Sequence, residues 1–415
     1  MNVRRSAAAL AVAVAALGTA TAPAALADDA SPSAKATGGP LPSGLYGKKD
    51  PQFDGVFRQS YALLAQKTVG VTPAAKAVDW LTGQQCASGG FAAYRADASE
   101  PCGSKTQVDS NSTAAAIQAL HAVGNESNTV KKSLDWLKSV QNQDGGWGYN
   151  PGLPSDANST GIVIGALAAV GEKPASVKSQ KGKSPLDALT ELAMDCGKDG
   201  GAFGLADAKS GKLAPNADAT AAGVLGGLGQ GLVPAKGKKA DAAPKCAKAD
   251  TAEQAAHNGT GYLLKSLAKT GHLTSAMPGA KDQPDVGNTA DAVVALAAAG
   301  QQEQAKKSAE WLSKNSAAWA KDSGPAAYSQ LVFAALAADM DVRDFGGADL
   351  VKQLNAQGPT PKAVSDVSTS AKEKDKDEKD DDGSGISVWW IVGVGLVAGA
   401  GIGFLLSGRK KKNQL

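Results

Sequence analysis

The chain has 415 residues, a formal net charge of +3 and only 5% aromatic residues. A near-neutral balance with no basic stripe and no interleaved aromatics excludes nucleic acid as a natural partner. With the end segments set aside, the remaining length is enough for one large domain with a sizeable core.

Met1 to Ala27 reads as a secretory signal: Arg4 and Arg5 give a basic start, Ala7 to Leu17 an apolar core, and Ala25-Leu26-Ala27 a small-x-small cleavage site. Residues 28–40 are expected to be disordered, and a single folded domain is expected over residues 41–357. The domain is expected to be all-α. Six apolar, Ala-rich runs recur, starting near Asp54, Asp109, Asp156, Asn216, Asp285 and Ser323. Ala-rich runs have high helix propensity, and runs that are apolar nearly all round are buried helices. Four of them open on a related cluster: Asp109-Ser110-Asn111-Ser112-Thr113-Ala114, Asp156-Ala157-Asn158-Ser159-Thr160-Gly161, Asn216-Ala217-Asp218-Ala219-Thr220-Ala221 and Asp285-Val286-Gly287-Asn288-Thr289-Ala290. These residue types cap helix N-termini.

Amphipathic segments alternate with the apolar runs. The clearest surround Trp80, Trp136 and Trp311, which sit at matching positions and are expected in the core. Six apolar inner helices inside six amphipathic outer ones make an α6/α6 toroid, and no strand pattern competes. Such internal repetition decides the architecture before any single residue does. Two turns after outer helices share a Gln-x3-Gly-x-aromatic pattern, Gln85 to Phe91 and Gln141 to Trp147, and residues 199–203 give a third copy without the Gln. The glycines permit a tight turn after a helix.

Four cysteines in an exported chain suggest two disulfides, and four allow three pairings. The favoured pairs are Cys86–Cys102 and Cys196–Cys246, each joining the end of a helical segment to the loop before a later repeat. His121, His257 and His272 have no ligand spacing to a cysteine, so no metal site is expected. No cofactor is expected either.

Residues 358–387 include the charge run KEKDKDEKDDD and are expected to form a disordered stalk. Residues 388–407 are an apolar run of bilayer length, with Trp389 and Trp390 at the outer interface. Arg409 to Lys412, in the tail 408–415, stay in the cytoplasm by the positive-inside rule. This orientation leaves the domain outside the cell. Gly395, Gly399 and Gly403 are spaced four apart and offer a smooth face for packing against another membrane helix.

The clusters and the Gln-x3-Gly-x-Trp element at Gln141, Gly145 and Trp147 resemble the prenyltransferase/squalene cyclase repeat superfamily, the terpenoid-cyclase α/α toroid. The resemblance spans residues 41–357 and implies the fold; activity differs between members, because function lives in sites grafted on folds. Class II cyclases of that superfamily carry a central acid in an Asp-x-Asp-Asp-Thr-Ala motif. The matching position here is Asn111, and an amide cannot protonate an alkene. Prenyltransferases hold zinc through an Asp-x-Cys pair, and no cysteine here has an Asp two residues before it. The Cys-Gly-Glu-Gln thioester motif is also missing from the sequence. What the resemblance leaves is binding, as in animal cobalamin carriers such as intrinsic factor, and no catalytic residue is assigned.

In a toroid the starts of the inner helices ring one mouth. That gathers Asp109, Asn111, Asp156, Asn158, Asp218, Asp285 and Asn288 as ligand-binding candidates. Each also has the plain role of capping its own helix. Helix N-termini additionally suit anionic groups. Gln59, Tyr61, Tyr328 and Gln330 interrupt apolar runs; they either line the cavity or face an outer helix. The leading expectation is an extracellular, membrane-anchored protein that captures a small nutrient, cobalamin-like or other, for transporter subunits. The alternatives are a terpene cyclase- or prenyltransferase-like enzyme and a structural cell-surface interaction protein.

Overall fold

The computed structural model describes residues 41–125, 128–197, 200–206, 211–240, 242–275 and 283–364. The expected signal, N-terminal segment, most of the stalk, the membrane span with Gly395, Gly399 and Gly403, and the tail lie outside the described residues. Among the described residues no helix is long and apolar enough to cross a membrane.

Six helices form the inner layer: α1 (Gly55–Thr68), α3 (Ser110–Ala122), α5 (Ala157–Ala169), α7 (Ala217–Gly227), α9 (Val286–Ala298) and α12 (Pro325–Ala337). Each packs on the next, and α12 packs back on α1, so the layer is a closed ring. Outside it lie α2 (Ala75–Gly83), α4 (Asn128–Ser139), α6 (Pro185–Leu192), α8 (Ala252–Leu267), α10 (Gln302–Asn315) and α13 (Leu350–Asn355). A short extra helix, α11 (Ala317–Ser323), links α10 to α12. The all-α toroid expected from the repeats is the architecture observed.

Capping explains where the inner helices begin. The side chains of Asp109, Asp156, Asn216 and Asp285 accept the backbone N–H of Ser112 (2.6 Å), Ser159 (2.7 Å), Ala219 (2.8 Å) and Asn288 (3.1 Å). Each such cap contributes about 1 kcal/mol. Small residues then let neighbouring helices approach closely. A Cβ placed on Gly161 of α5 would lie 2.5 Å from the Ala222 carbonyl oxygen of α7.

The expectation of no strands needs correction. Among the described residues four two-stranded antiparallel ribbons are present, built from β1 (Val71–Thr72) with β8 (Lys362–Val364), β2 (Phe91–Ala92) with β3 (Val108–Asp109), β4 (Gly204–Ala206) with β5 (Leu213–Pro215), and β6 (Leu273–Thr274) with β7 (Pro284–Asp285). Strands of two or three residues are too short to give a period-two signal. Three of the ribbons feed directly into α3, α7 and α9. The β1–β8 pair carries the folded unit past residue 357, to 364. The Tyr46 hydroxyl also donates to the Pro359 carbonyl at 2.8 Å, tying the two ends of the domain together.

Both favoured disulfides are formed: Cys86–Cys102 and Cys196–Cys246. Trp136 is buried, while Trp80 and Trp311 pack on the core with part of their surface exposed. The glutamines of the Gln-x3-Gly-x-aromatic turns are hydrogen-bonded within and beside the turn. Gln141 donates to the Gly145 carbonyl at 2.7 Å, and Gln85 donates to the Thr129 carbonyl and the Ser133 hydroxyl, both at 2.8 Å.

One end of the ring is closed by the chain itself. Residues 229–236, which follow α7, cross the C-terminal ends of the inner helices. The Leu232 N–H donates to Gln118 of α3 at 2.9 Å, and Gln118 donates to the Ile162 carbonyl of α5 at 3.3 Å. Leu232 and Val233 share an apolar pocket with Thr68 of α1, Ala297 of α9, and Phe333 and Ala337 of α12. The plug therefore reaches all five of the other inner helices.

Candidate functional site: a polar well at the N-terminal mouth

The opposite end of the ring holds the starts of the inner helices and is polar. Asn111, Asn158 and Asp218 occupy the second helical position of α3, α5 and α7, three neighbours in the ring. The Asn158 side-chain amide donates to the Asp218 carboxylate, bridging α5 and α7. On α9, Asn288 donates to Asp285 at 2.7 Å. Deeper along α9, Asp291 accepts from Gln330 of α12 at 3.0 Å. Tyr61 of α1 completes the circle, in edge contact with Phe57 and Phe333.

These groups sense one another. Burial, then the neighbouring Asp291, push the Asp218 carboxyl up to about 8, and Asp285 and Asp156 add to the effect. Burial pushes Asp291 up to about 7, with Asp285 contributing. Asp156 is raised by burial against the hydrogen bonds from Ser159. The Tyr61 phenol is raised by burial and by the charges of Asp291 and Asp218. Asp218 and Asp291 nevertheless keep part of their surface exposed. Carboxyls that are desolvated yet reachable by solvent line a concavity. Asp109 is fully enclosed beside its cap partner Ser112, and burial pushes it up to about 7.

Three amide oxygens in this well have no partner: Oδ1 of Asn111, Asn158 and Asn288. Asn111 is only 4% exposed and Asn288 only 7%. Buried polar atoms are nearly always hydrogen-bonded, so orphaned acceptors at matching places call for an explanation. The segments that enter three of the inner helices carry exposed apolar side chains: Phe53 before α1, Leu153 before α5, and Leu205 and Leu213 on the ribbon before α7.

The structure thus brings Asn111, Asp156, Asn158, Asp218, Asp285, Asn288 and Tyr61 to the N-terminal mouth, with Asp109 capping beneath. It places Gln59 elsewhere. That side chain accepts the Tyr46 N–H at 2.8 Å and donates to the carbonyls of Gly44 (3.0 Å) and Ala77 (2.8 Å). Gln59 faces the N-terminal segment and the outer layer, with its amide fully used. Tyr328 is buried in the first turn of α12, where burial raises its pKa. Gln330 lines the well through Asp291.

Asp291 escaped the sequence reading because it lies one turn inside α9, in a run otherwise read as apolar core. A charged residue in an Ala/Val run is the signal that marks it. One N–H at each of four helix starts, those of Ser112, Ser159, Ala219 and Asn288, is taken by the capping side chain. Among the described residues no group of three or more His, Cys, Asp or Glu is placed to hold a metal ion.

The recurring threonines have a separate structural role. The hydroxyls of Thr113, Thr160, Thr220 and Thr289 accept the backbone N–H of Phe91 (2.9 Å), Trp147 (3.0 Å), Phe203 (3.0 Å) and Leu273 (3.0 Å). Each joins the turn after an outer helix to the start of an inner one. This fixed spacing is why the clusters look alike.

Residues 110–176, covering α3 to the loop before α6, match the family profile described as the squalene-hopene cyclase C-terminal domain. No curated protein matches the chain. A solved structure, described as a protein from Actinoplanes, is 14% identical with a TM-score of 0.46, over 72% of this chain and 94% of that one. The repeated helix pairs, the Gln-x3-Gly-x-aromatic turns and the match over residues 110–176 together support the prenyltransferase/squalene cyclase repeat superfamily.

Proposed function

We propose that this protein is an extracellular binding protein, anchored by residues 388–407, that captures a small nutrient in the polar well for transporter subunits. The supporting observation is the set of three partnerless amide oxygens at the starts of α3, α5 and α9, on one mouth of the ring. A concave site with a few convergent polar groups and perturbed carboxyls is the usual form of a small-molecule site. The secretory signal and the two disulfides agree with an oxidising, external location. Cobalamin-like molecules are first among the candidates. Titration calorimetry of the purified chain against cobalamin and other small nutrients tests the reading. Heat of binding that is lost in Asn158→Ala supports it; no heat with any candidate, together with unchanged nutrient uptake when the gene is deleted, removes it.

One observation favours a second reading, an enzyme of the cyclase type. Asp218 stands in its own cluster where Asn111 stands in the first, so a carboxyl does occupy one copy of the acid position. Its chemistry weighs the other way. A carboxyl raised to about 8 is a weak acid, whereas protonating an alkene needs a strong one. Asp218 suits hydrogen bonding better. Product formation from squalene or a prenyl diphosphate, abolished in Asp218→Asn, is the result that would establish the enzyme instead.

A further inference from the structure

Each inner helix contributes a polar side chain to the mouth, and their places round the ring form a pattern. The ring runs α1, α3, α5, α7, α9, α12, so α1 stands opposite α7 and α3 opposite α9. Asp218 of α7 and Asp291 of α9 are carboxyls that keep part of their surface exposed. Each is braced by an amide of a neighbouring helix. Asn158 of α5 donates to Asp218, and Gln330 of α12 donates to both oxygens of Asp291, at 3.2 and 3.0 Å. Across the ring stand Tyr61 of α1 and Asn111 of α3, each only 4% exposed. Among the described residues the Tyr61 hydroxyl and the Asn111 amide nitrogen have no hydrogen-bond partner. The Asn111 oxygen is enclosed, so the nitrogen end of the amide is the one turned to the opening. Burial and then the charges of Asp291 and Asp218 raise the Tyr61 phenol, which therefore lies within the field of both carboxyls.

Two buried donors without partners thus face two braced carboxyls. Unmade bonds of enclosed polar groups are costly, so the arrangement calls for a ligand that supplies them. Asn111 needs an acceptor. Tyr61 and the carboxyls can each donate or accept, because Asp218 at about 8 and Asp291 at about 7 exchange their protons near neutrality. A hydroxyl matches all four, since one oxygen both donates and accepts and turns to follow the proton. An ammonium has no acceptor for the Asn111 N–H, and a carboxylate has no donor for an ionised Asp291. Packed helix axes stand about 8–10 Å apart, and helices opposite in a ring of six farther still, so one carboxamide does not reach both walls. We propose that the mouth binds a polyol, a sugar or cyclitol ring whose hydroxyls on one edge accept from Tyr61 and Asn111 while those on the opposite edge bond Asp218 and Asp291. The proposal rests on the capture reading and narrows its cargo to polyhydroxylated molecules.

Three small rings of similar size test it: trans-1,4-cyclohexanediol, its dimethyl ether and cyclohexanol, each titrated into the full purified chain. The diol is expected to shift the NMR signals of the Tyr61 ring and the Asn111 side-chain amide. The ether accepts but cannot donate, and cyclohexanol carries a hydroxyl on one edge only. Each is expected to bind about fivefold more weakly or worse, the loss of at least one hydrogen bond. Tyr61→Phe keeps the ring contacts with Phe57 and Phe333 and should weaken the diol about fivefold. Should that variant fail to fold, the two control rings decide the matter on the unaltered chain. No shift with the diol, a control ring that binds as tightly as the diol, or full affinity in folded Tyr61→Phe overturns the proposal. Nutrient uptake separates it from the reading beneath it. An unseated diol with uptake lost on gene deletion sinks the polyol proposal alone, and a seated diol with uptake indifferent to the gene sinks the capture reading alone.

Discussion

The Thr113 hydroxyl accepts the Phe91 N–H at 2.9 Å and donates to the Asp109 carbonyl at 2.7 Å, so one side chain joins a turn to the helix it precedes. Thr113→Val keeps the shape and removes both bonds, leaving a buried N–H without a partner. A loss of about 1–3 kcal/mol is expected in chemical denaturation. Thr160→Val should cost a similar amount, because Trp147 hangs from Thr160 in the same way.

The turn glycines differ in how much they tolerate. Gly145 has φ +94°, and an added Cβ would lie 2.3 Å from the Ser184 carbonyl oxygen at the start of α6. Gly124 has φ +78° with nothing within 4 Å of an added Cβ. Gly124→Ala should cost about 1–2 kcal/mol for the backbone conformation alone. Gly145→Ala should cost clearly more, because backbone must also move. Melting temperatures of the two variants compare them directly; equal losses would show that the turn yields freely.

Stability should fall as pH rises through neutrality. Asp218 titrates at about 8 in the folded chain against 3.8 for the ordinary carboxyl, so the folded state holds a proton that the unfolded state has lost. Its protonated form supports folding fully below pH 3.8, and that support drains away as pH climbs to about 8. Asp291 and Asp109, raised to about 7, act with the same sign. Urea midpoints measured from pH 5 to 9 should decline, and Asp218→Asn should flatten the slope.

The plug should loosen without unfolding the ring. Gln118→Leu removes the acceptor of the Leu232 N–H. Hydrogen exchange at residues 229–236 should quicken about fivefold while the amides of α3 and α9 keep their protection.

Much of the scaffold was readable because capping is local. Asp109, Asp156, Asn216 and Asp285 are N-caps in the structure, as their residue types and positions before apolar runs indicated. Which way a mid-helix polar group points is not local. Gln59 and Tyr61 lie two residues apart on α1, yet one serves the outer layer and the other the well, a difference of helical phase that neighbours settle. Asp291 and Gln330 sit on different helices 39 residues apart, and only ring closure brings them together. The plug has no periodicity at all; its place depends on Gln118, 114 residues before Leu232.

The β1–β8 ribbon has a consequence for presentation. Strand β1 begins just past the C-terminal end of α1, on the side where residues 229–236 fill the ring, and β8 is the last described segment of the chain. The described chain thus ends at the blind end. The anchor proposed for residues 388–407 would hold the molecule like a cup by its base, with the polar opening turned away from the point of attachment. Loading from the surroundings is then unobstructed. Delivery to anything at the base requires the cup to tip over on its tether or the cargo to leave by the way it came.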